Sequence, residues 1–442
     1  MTAFPEVIAR SACLAAKRIA KPPARRFGSI VSFDGSVAIA TGLAAPINAV
    51  CEVTQMGGET RRAAVVGFRE SLTVLMALDP AFLPSAGARV EVVAAAGQIE
   101  VGGAFLGRVI DGYGGAIDGM GDVKSSGSWD TGCRARPSGR VTEPFDSGIR
   151  VINGLMTLGR GQRIGIVGGS GVGKSVLLDM LLQSAQADVV IAALIGERSR
   201  EITDFIARSN EHDMMLRTAI IAVPASAPAL ARIQGAWRAT GHAEYFRSQG
   251  KSVLLIFDSL TRVAHAARDV GIAVGEQVLA RGYPPSAMNL LSQLIERTGV
   301  SADGHGAITA VYTVLADGDD LTDPVVDTAR SILDGHISLS RELAGRGHFP
   351  AIDLTNSISR VMPQIVPQAH LELARCFIAD QALVERNRDL VLMGAYAPGR
   401  NLALDVALRR DDAMSCFQKQ RPGEPCGIAA SVTALEELMA RA

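Results

Sequence analysis

Residues 168–178 read "GGSGVGKSVLL", and what flanks them decides the fold. Upstream, Arg163–Val167 is a short apolar run suited to a buried strand; downstream, Val176–Leu182 has helical spacing. Between them Gly168-x4-Gly173-Lys174-Ser175 satisfies the phosphate-loop pattern. The nucleotide-binding set runs through Gly168, Gly169, Ser170, Gly171, Val172 and Gly173 to Lys174, Ser175 and Val176. Its glycines let backbone N–H groups converge on phosphate oxygens at a helix N-terminus. Lys174 reaches the β and γ phosphates, and the Ser175 hydroxyl ligates Mg2+. An ordinary Gly-rich turn would need neither the strand before nor the helix after.

Two acids follow on strands of their own. "SVLLIFDSLTR", 252–262, is an apolar strand ending in Asp258, which puts a carboxylate at the C-terminal edge of the sheet, where ligands bind in such folds. There it can hold Mg2+ through water. "LIGERSREITDF", 194–205, places Glu197 at the end of another apolar strand, positioned to orient or activate the attacking water. Arg198, Arg200 and Glu201 beside it read equally well as a surface charge cluster.

Around this centre the chain changes character twice. Residues 27–95 are short β-rich runs punctuated by Gly, Pro and Asp, which predict a small β-barrel or sandwich. Residues 96–362 alternate nearly continuous apolar strands ("DVVIAALIGE", "RTAIIAVPA", "AITAVYTVL", "GHISLS") with helices, which predicts a mostly parallel α/β sheet covered on both faces. From 363 to 442 the strand signals stop, and "QAHLELARCFIADQALVERNRDLVLM" and "SVTALEELMARA" predict a helical domain. "QKQRPGEPCG" within it reads as a loosely held segment. Residues 1–26 are a basic segment in which 4–20 predict an amphipathic helix, suited to an acidic membrane surface, a partner helix, or simple solvated capping.

Composition narrows the function classes. The 442 residues are 48% hydrophobic, enough for a large core, and the net charge of −1 offers no global basic field for nucleic acid. The six cysteines form no C-x-x-C pair and suit buried small hydrophobes in a reducing compartment. The seven histidines lack metal-ligand spacing, and His336 and His348 read as structural. No apolar run approaches the ~18 residues of a membrane span, and Glu6 and Arg10 interrupt the N-terminal apolar stretch, against a secretory signal. The expectation is a soluble cytoplasmic protein.

Together, "GRGQRIGIVGGSGVGKS", "GERSRE", "DSLTR", "RGYPPS", "DDLTDPVVDTARSILDGHISLSREL" and "SISRV" resemble the hexameric ATPases related to the catalytic subunit of rotary ATP synthases. "SRELAGRGHFPAIDLTNSISRVM" and "LDGHISLS" are most similar to the flagellar and type III secretion export branch. The resemblance spans about 27–420 and implies an N-terminal barrel, a RecA-like P-loop domain and a C-terminal helical domain. It implies that Lys174 and Ser175 hold phosphate and Mg2+, that Glu197 is the catalytic carboxylate supported by Arg198, and that Asp258 is the Mg2+-side acid. It further implies that Arg360 acts on the neighbouring subunit's nucleotide, that Phe349 lies against adenine and that Phe417 approaches the base.

Because one chain carries both Glu197 and Arg360, copies of it could complete each other's sites in a homohexamer. The implied activity is ATP hydrolysis assisting delivery and unfolding of export substrates. The implied partners are a stator-like regulator at the N-terminal segment, a central stalk protein, and export chaperones and substrates at the C-terminal domain, with peripheral contact at the inner-membrane export gate. Some positions depart from the family pattern, among them Asn153 for Asp and Ser199 for Gly. A rotary ATP synthase catalytic subunit is the first rival. An RNA translocase is a second, although Phe27, Phe33, Phe68 and Phe82 lack a clustered stacking pattern in the barrel. A subunit that binds without hydrolysing is a third, opposed by Glu197.

Overall fold

The computed structural model describes residues 27–35, 37–55, 57–79, 81–94, 97–132, 139–169, 171–211, 214–278, 282–315 and 323–440. The basic segment of residues 1–26, with its expected helix, and Ser170 of the phosphate loop lie outside them. The described residues form two compact units: those within 27–98 with 272–276, and those within 99–271 with 277–440.

In the first unit, β1 (Phe27–Phe33), β2 (Val37–Thr41), β3 (Val50–Thr54), β4 (Thr60–Arg69), β5 (Leu72–Ala77) and β6 (Arg89–Ala94) close an antiparallel barrel in the order β1-β2-β5-β4-β3-β6. Pairing of β1 with β6 removes the free edge. Strand alternation fills the interior: in β3, Cys51 and Val53 are buried while Val50, Glu52 and Thr54 are partly exposed.

The second unit is built on a nine-stranded sheet from β7 (Val109–Ile110), β8 (Arg163–Gly168), β9 (Val189–Glu197), β10 (Thr218–Pro224), β11 (Ser252–Asp258), β12 (Gly299–Val300), β13 (Ala307–Leu315), β14 (Gly335–Leu339) and β15 (Ile352–Ser359). The order is β15-β14-β8-β13-β11-β9-β10-β7, with β12 antiparallel on β13. The inner strands are parallel, and β15 runs antiparallel on β14. Every residue of β9 is buried, as its unbroken apolar run predicts for a strand covered on both faces. The edge strand β15 was not legible, since "IDLTNSIS" carries its apolar residues too sparsely.

Helices cover the sheet: α1 (Arg150–Leu155), α2 (Lys174–Ser184), α3 (Ser199–Glu211), α4 (Ala229–Ser248) and α5 (Pro324–Ile332). The C-terminal helices α6 (Gln368–Leu392), α7 (Leu402–Gln418) and α8 (Ile428–Ala440) share a core with α1, in which Phe377, Met414, Phe417 and Leu435 join Ile152 and Leu155.

Two expectations are corrected here. "QKQRPGEPCG" is tied down: Gln420 Nε2 and the Cys426 N–H both donate to the Gly148 carbonyl, and Asn153 Nδ2 donates to the Cys426 carbonyl. The Asn153 side chain, buried on α1, supplies what loop composition hides. The cysteines are not uniformly buried either. Cys51 is, but Cys376 and Cys416 are exposed on helical faces turned to solvent. No described helix is long and apolar enough to cross a membrane.

Candidate active site

The parallel register brings the ends of three strands to one edge. β8 runs into the phosphate loop, and α2 opens on Lys174. Gly173 precedes it in the left-handed region, at φ +93°. A Cβ there would be strained and would lie 3.2 Å from Phe349 Cε1, so glycine lets the loop and the Phe349 ring approach. β9 delivers Glu197 and β11 delivers Asp258, with Leu194 and Asp258 paired across the two strands.

Lys174 joins these acids. Its Nζ donates to Asp258 Oδ1 at 2.6 Å and lies 3.5 Å from Glu197 Oε1. Ser175, Glu197, Glu201, Arg208 and Asp258 line a cavity of about 140 Å³. Burial opposes the charge on Lys174, but Asp258 and Glu197 outweigh it and hold the ammonium above its ordinary pKa. Burial, reinforced by the Asp258 charge and opposed by Lys174, pushes Glu197 up to about 7.

Glu197 Oε1 is buried, and among the described residues it is met by the Lys174 ammonium at 3.5 Å, a long ion-pair contact and not a close hydrogen bond. A buried carboxylate oxygen held by one long ion pair keeps acceptor capacity for a ligand or solvent. A loop that opens a helix, an ammonium beside two carboxylates and the Ser175 hydroxyl form a set that fits a nucleotide triphosphate with Mg2+. Among the described residues no group of three or more His, Cys, Asp and Glu side chains is placed to hold a metal ion.

Other expected residues sit further out. Phe349 is half-exposed beside the loop. Phe417 lies in the core: its ring is buried, packs 5.6 Å from Phe377 and fills the space above Gly154. Core packing claims it because α7 turns that face toward α1 and α6. Arg198 is likewise not gathered into the Lys174 cluster; its side chain is 79% exposed, 3.9 Å from Glu201. The Arg360 guanidinium donates to the carbonyls of Leu333 and Arg330, at the end of α5, with the residue exposed. Val172 is buried and Val176 exposed.

Sequence reasoning missed Thr313. Its hydroxyl lies 2.5 Å from Asp258 Oδ1. The available signal was a hydroxyl near the C-terminal end of an otherwise apolar central strand.

Comparison with known proteins sets this geometry in a family. Residues 148–359 match the ATP synthase alpha/beta family, nucleotide-binding domain, and 366–437 match the T3SS EscN ATPase C-terminal domain. The chain is 43% identical to the flagellum-specific ATP synthase of Salmonella typhimurium over 95% of both chains. It is 42% identical to that of Pseudomonas aeruginosa over 93% of both. It belongs to the flagellar and type III secretion ATPase family.

The fold agrees. The assembled ATPase EscN from the enteropathogenic E. coli type III secretion system superposes with a TM-score of 0.88 at 37% identity, over 93% of this chain and 99% of that one. As a member of this ATPase family the chain has the expected barrel, nucleotide-binding domain and C-terminal helices. The EscN-type C-terminal domain favours the export branch over the rotary synthase subunit.

Proposed function

We propose that the chain hydrolyses MgATP at interfaces between identical copies, in a homohexamer, and that hydrolysis assists delivery and unfolding of flagellar or type III export substrates. The observation that carries this is the Lys174–Asp258–Glu197 cluster, in which a buried cation is held by two acids at the end of a phosphate loop. An incoming triphosphate competes for Lys174, drawing its ammonium from Asp258 to the β and γ oxygens. Asp258 then serves as the Mg2+-side acid, and Ser175 is the metal's hydroxyl ligand. With Ser175 and Asp258 holding it, Mg2+ would supply neutralisation of the charge that develops on the phosphate oxygens. Glu197, lifted to about 7, is poised to orient and deprotonate the attacking water near neutral pH.

Arg360 acts in trans. It is exposed, and among the described residues its guanidinium is held by two carbonyls, from which a neighbour's phosphate could draw it. Phe349, beside the loop, stacks on adenine, and Arg198 supports the phosphate region once a neighbour or nucleotide orders it. EscN, solved as an assembled ATPase and in complex with its central stalk EscO, supports a ring with a stalk partner. Exposed Leu390, Leu392, Met393 and Leu402, around the α6–α7 turn, offer export chaperones and substrates an apolar contact. Residues 1–26 take the stator-like regulator or acidic lipid, placing the enzyme in the cytoplasm at the inner-membrane export gate.

ATPase rate against protein concentration for the purified chain tests this, with Glu197→Gln and Arg360→Ala beside it. Specific activity should rise steeply with concentration and vanish in both variants, while Arg360→Ala still binds nucleotide. Concentration-independent activity, or an active Arg360→Ala, would overturn the shared site.

A further inference from the structure

β13 lies between β8, which feeds the phosphate loop, and β11, which ends in Asp258. The register pairs Ile166 with Thr313 on one side and Phe257 with Tyr312 on the other. Thr313 therefore reaches the sheet edge beside Asp258. It is fully buried, with its hydroxyl 2.5 Å from Asp258 Oδ1 and 3.4 Å from the Phe257 carbonyl. A hydroxyl has one proton to give, and the nearer, charged oxygen takes it.

Asp258 Oδ1 thus has two donors, Thr313 and Lys174, and they differ in permanence. Lys174 carries a long, rotamer-rich side chain that a phosphate group can draw away. Thr313 is β-branched, stiff at χ1 and seated on a central strand. When nucleotide recruits Lys174, Thr313 is the donor that stays.

We propose that Thr313 is the positioning residue for Asp258. Its hydroxyl fixes Oδ1, so that Oδ2, engaged by neither donor, remains available to the water on Mg2+. Without it, a carboxylate released by Lys174 is free to rotate, and Mg2+ binding must first immobilise it. The inference rests on Asp258 being the Mg2+-side acid.

The test uses the full chain and a fluorescent ATP analogue, with affinity measured in Mg2+ and in EDTA for wild type, Thr313→Val, Thr313→Ala, Thr313→Ser and Asp258→Asn. Thermal melts establish folding. Both variants lacking the hydroxyl should lose roughly ten-fold of the affinity gained from Mg2+, the order expected for one hydrogen bond to a charged group. Their EDTA affinities should stay within about two-fold of wild type, since a merely structural defect would lower both. Thr313→Ser should restore the gain. Folded Thr313→Val and Thr313→Ala that keep the full Mg2+ gain, or a folded Thr313→Ser that does not recover it, would overturn the proposal. Loss of the gain in Asp258→Asn with retention in Thr313→Val sinks the Thr313 role alone. Retention in Asp258→Asn sinks the reading of Asp258 as well.

Discussion

The ammonium of Lys174 donates to the Asp258 carboxylate at 2.6 Å, so the phosphate-loop lysine and the acid at the end of β11 satisfy each other before any nucleotide arrives. The pair is almost fully buried, with side-chain exposures of 14% and 9%. Binding then becomes an exchange of partners, in which the desolvation of the lysine has already been met.

Lys174→Met should expose that arrangement. Removing one partner of a buried ionic pair costs about 3–5 kcal/mol, and here it strands two acids beside each other. The melting temperature should fall more at pH 8 than at pH 6, because protonation of Glu197 relieves the repulsion. ATPase activity should fall at least ~10²-fold, the order for losing a preorganised charge stabiliser. A variant that melts like wild type at both pH values would contradict the cluster.

Glu197 sets a pH dependence of its own. Its pKa rises on folding from 4.5 to about 7, so the nucleotide-free folded state holds the proton more tightly than the unfolded chain. Its contribution is therefore fully present below about pH 4.5 and is lost as pH rises through 7, a span of about 3 kcal/mol from the shift itself. Glu197→Gln should flatten the loss of stability between pH 5 and 8 in thermal melts. Wild-type kcat/KM should rise through a limb near pH 7, since that ratio reports ionisation of the free enzyme.

His242, in the middle of α4, behaves oppositely. It is completely buried, its ring 4.7 Å from Phe105, and neither ring nitrogen has a hydrogen-bond partner among the described residues. Burial, with the Arg238 charge adding, pushes its pKa down to about 3. The stabilisation from keeping it neutral is present above about pH 6.5 and is lost as pH falls toward 3, in total on the order of 4–5 kcal/mol. His242→Leu removes two unsatisfied polar atoms and should raise the melting temperature more at pH 5 than at pH 8. Equal shifts at both pH values would count against a neutral buried imidazole.

A second buried ionic pair carries stability without touching nucleotide. Arg297 Nε and Nη2 donate to the two oxygens of Glu244 at 2.9 and 2.6 Å, and Trp129 Nε1 donates to Glu244 Oε2 at 3.0 Å. Arg297→Met should cost about 3–5 kcal/mol in denaturant unfolding. Combined with Glu244→Gln, it should cost less than the sum of the two single changes, because both remove the same ion pair. Additive losses would mean that the pair is not coupled.

Local pattern alone determined the phosphate loop, the strands that end in Glu197 and Asp258, the β-rich character of residues 27–95 and the helical character after 363. Each is written in neighbouring residues: glycine placement, unbroken apolar runs on both-face-buried strands, and helical spacing. Only the tertiary structure decided what depends on register and on which helix faces which. The parallel pairing of β13 with β8 and β11 puts Thr313 on Asp258, from a residue more than fifty positions away in sequence. Packing of α7 against α1 and α6 takes Phe417 into the core, although its motif pointed to the base. Hydrogen bonds from Asn153, Gln420 and Cys426 hold a Gly/Pro-rich segment whose composition reads as loose. Sequence carries what a residue's own neighbours enforce; contacts between distant strands and helices exist only once the whole chain has chosen its partners.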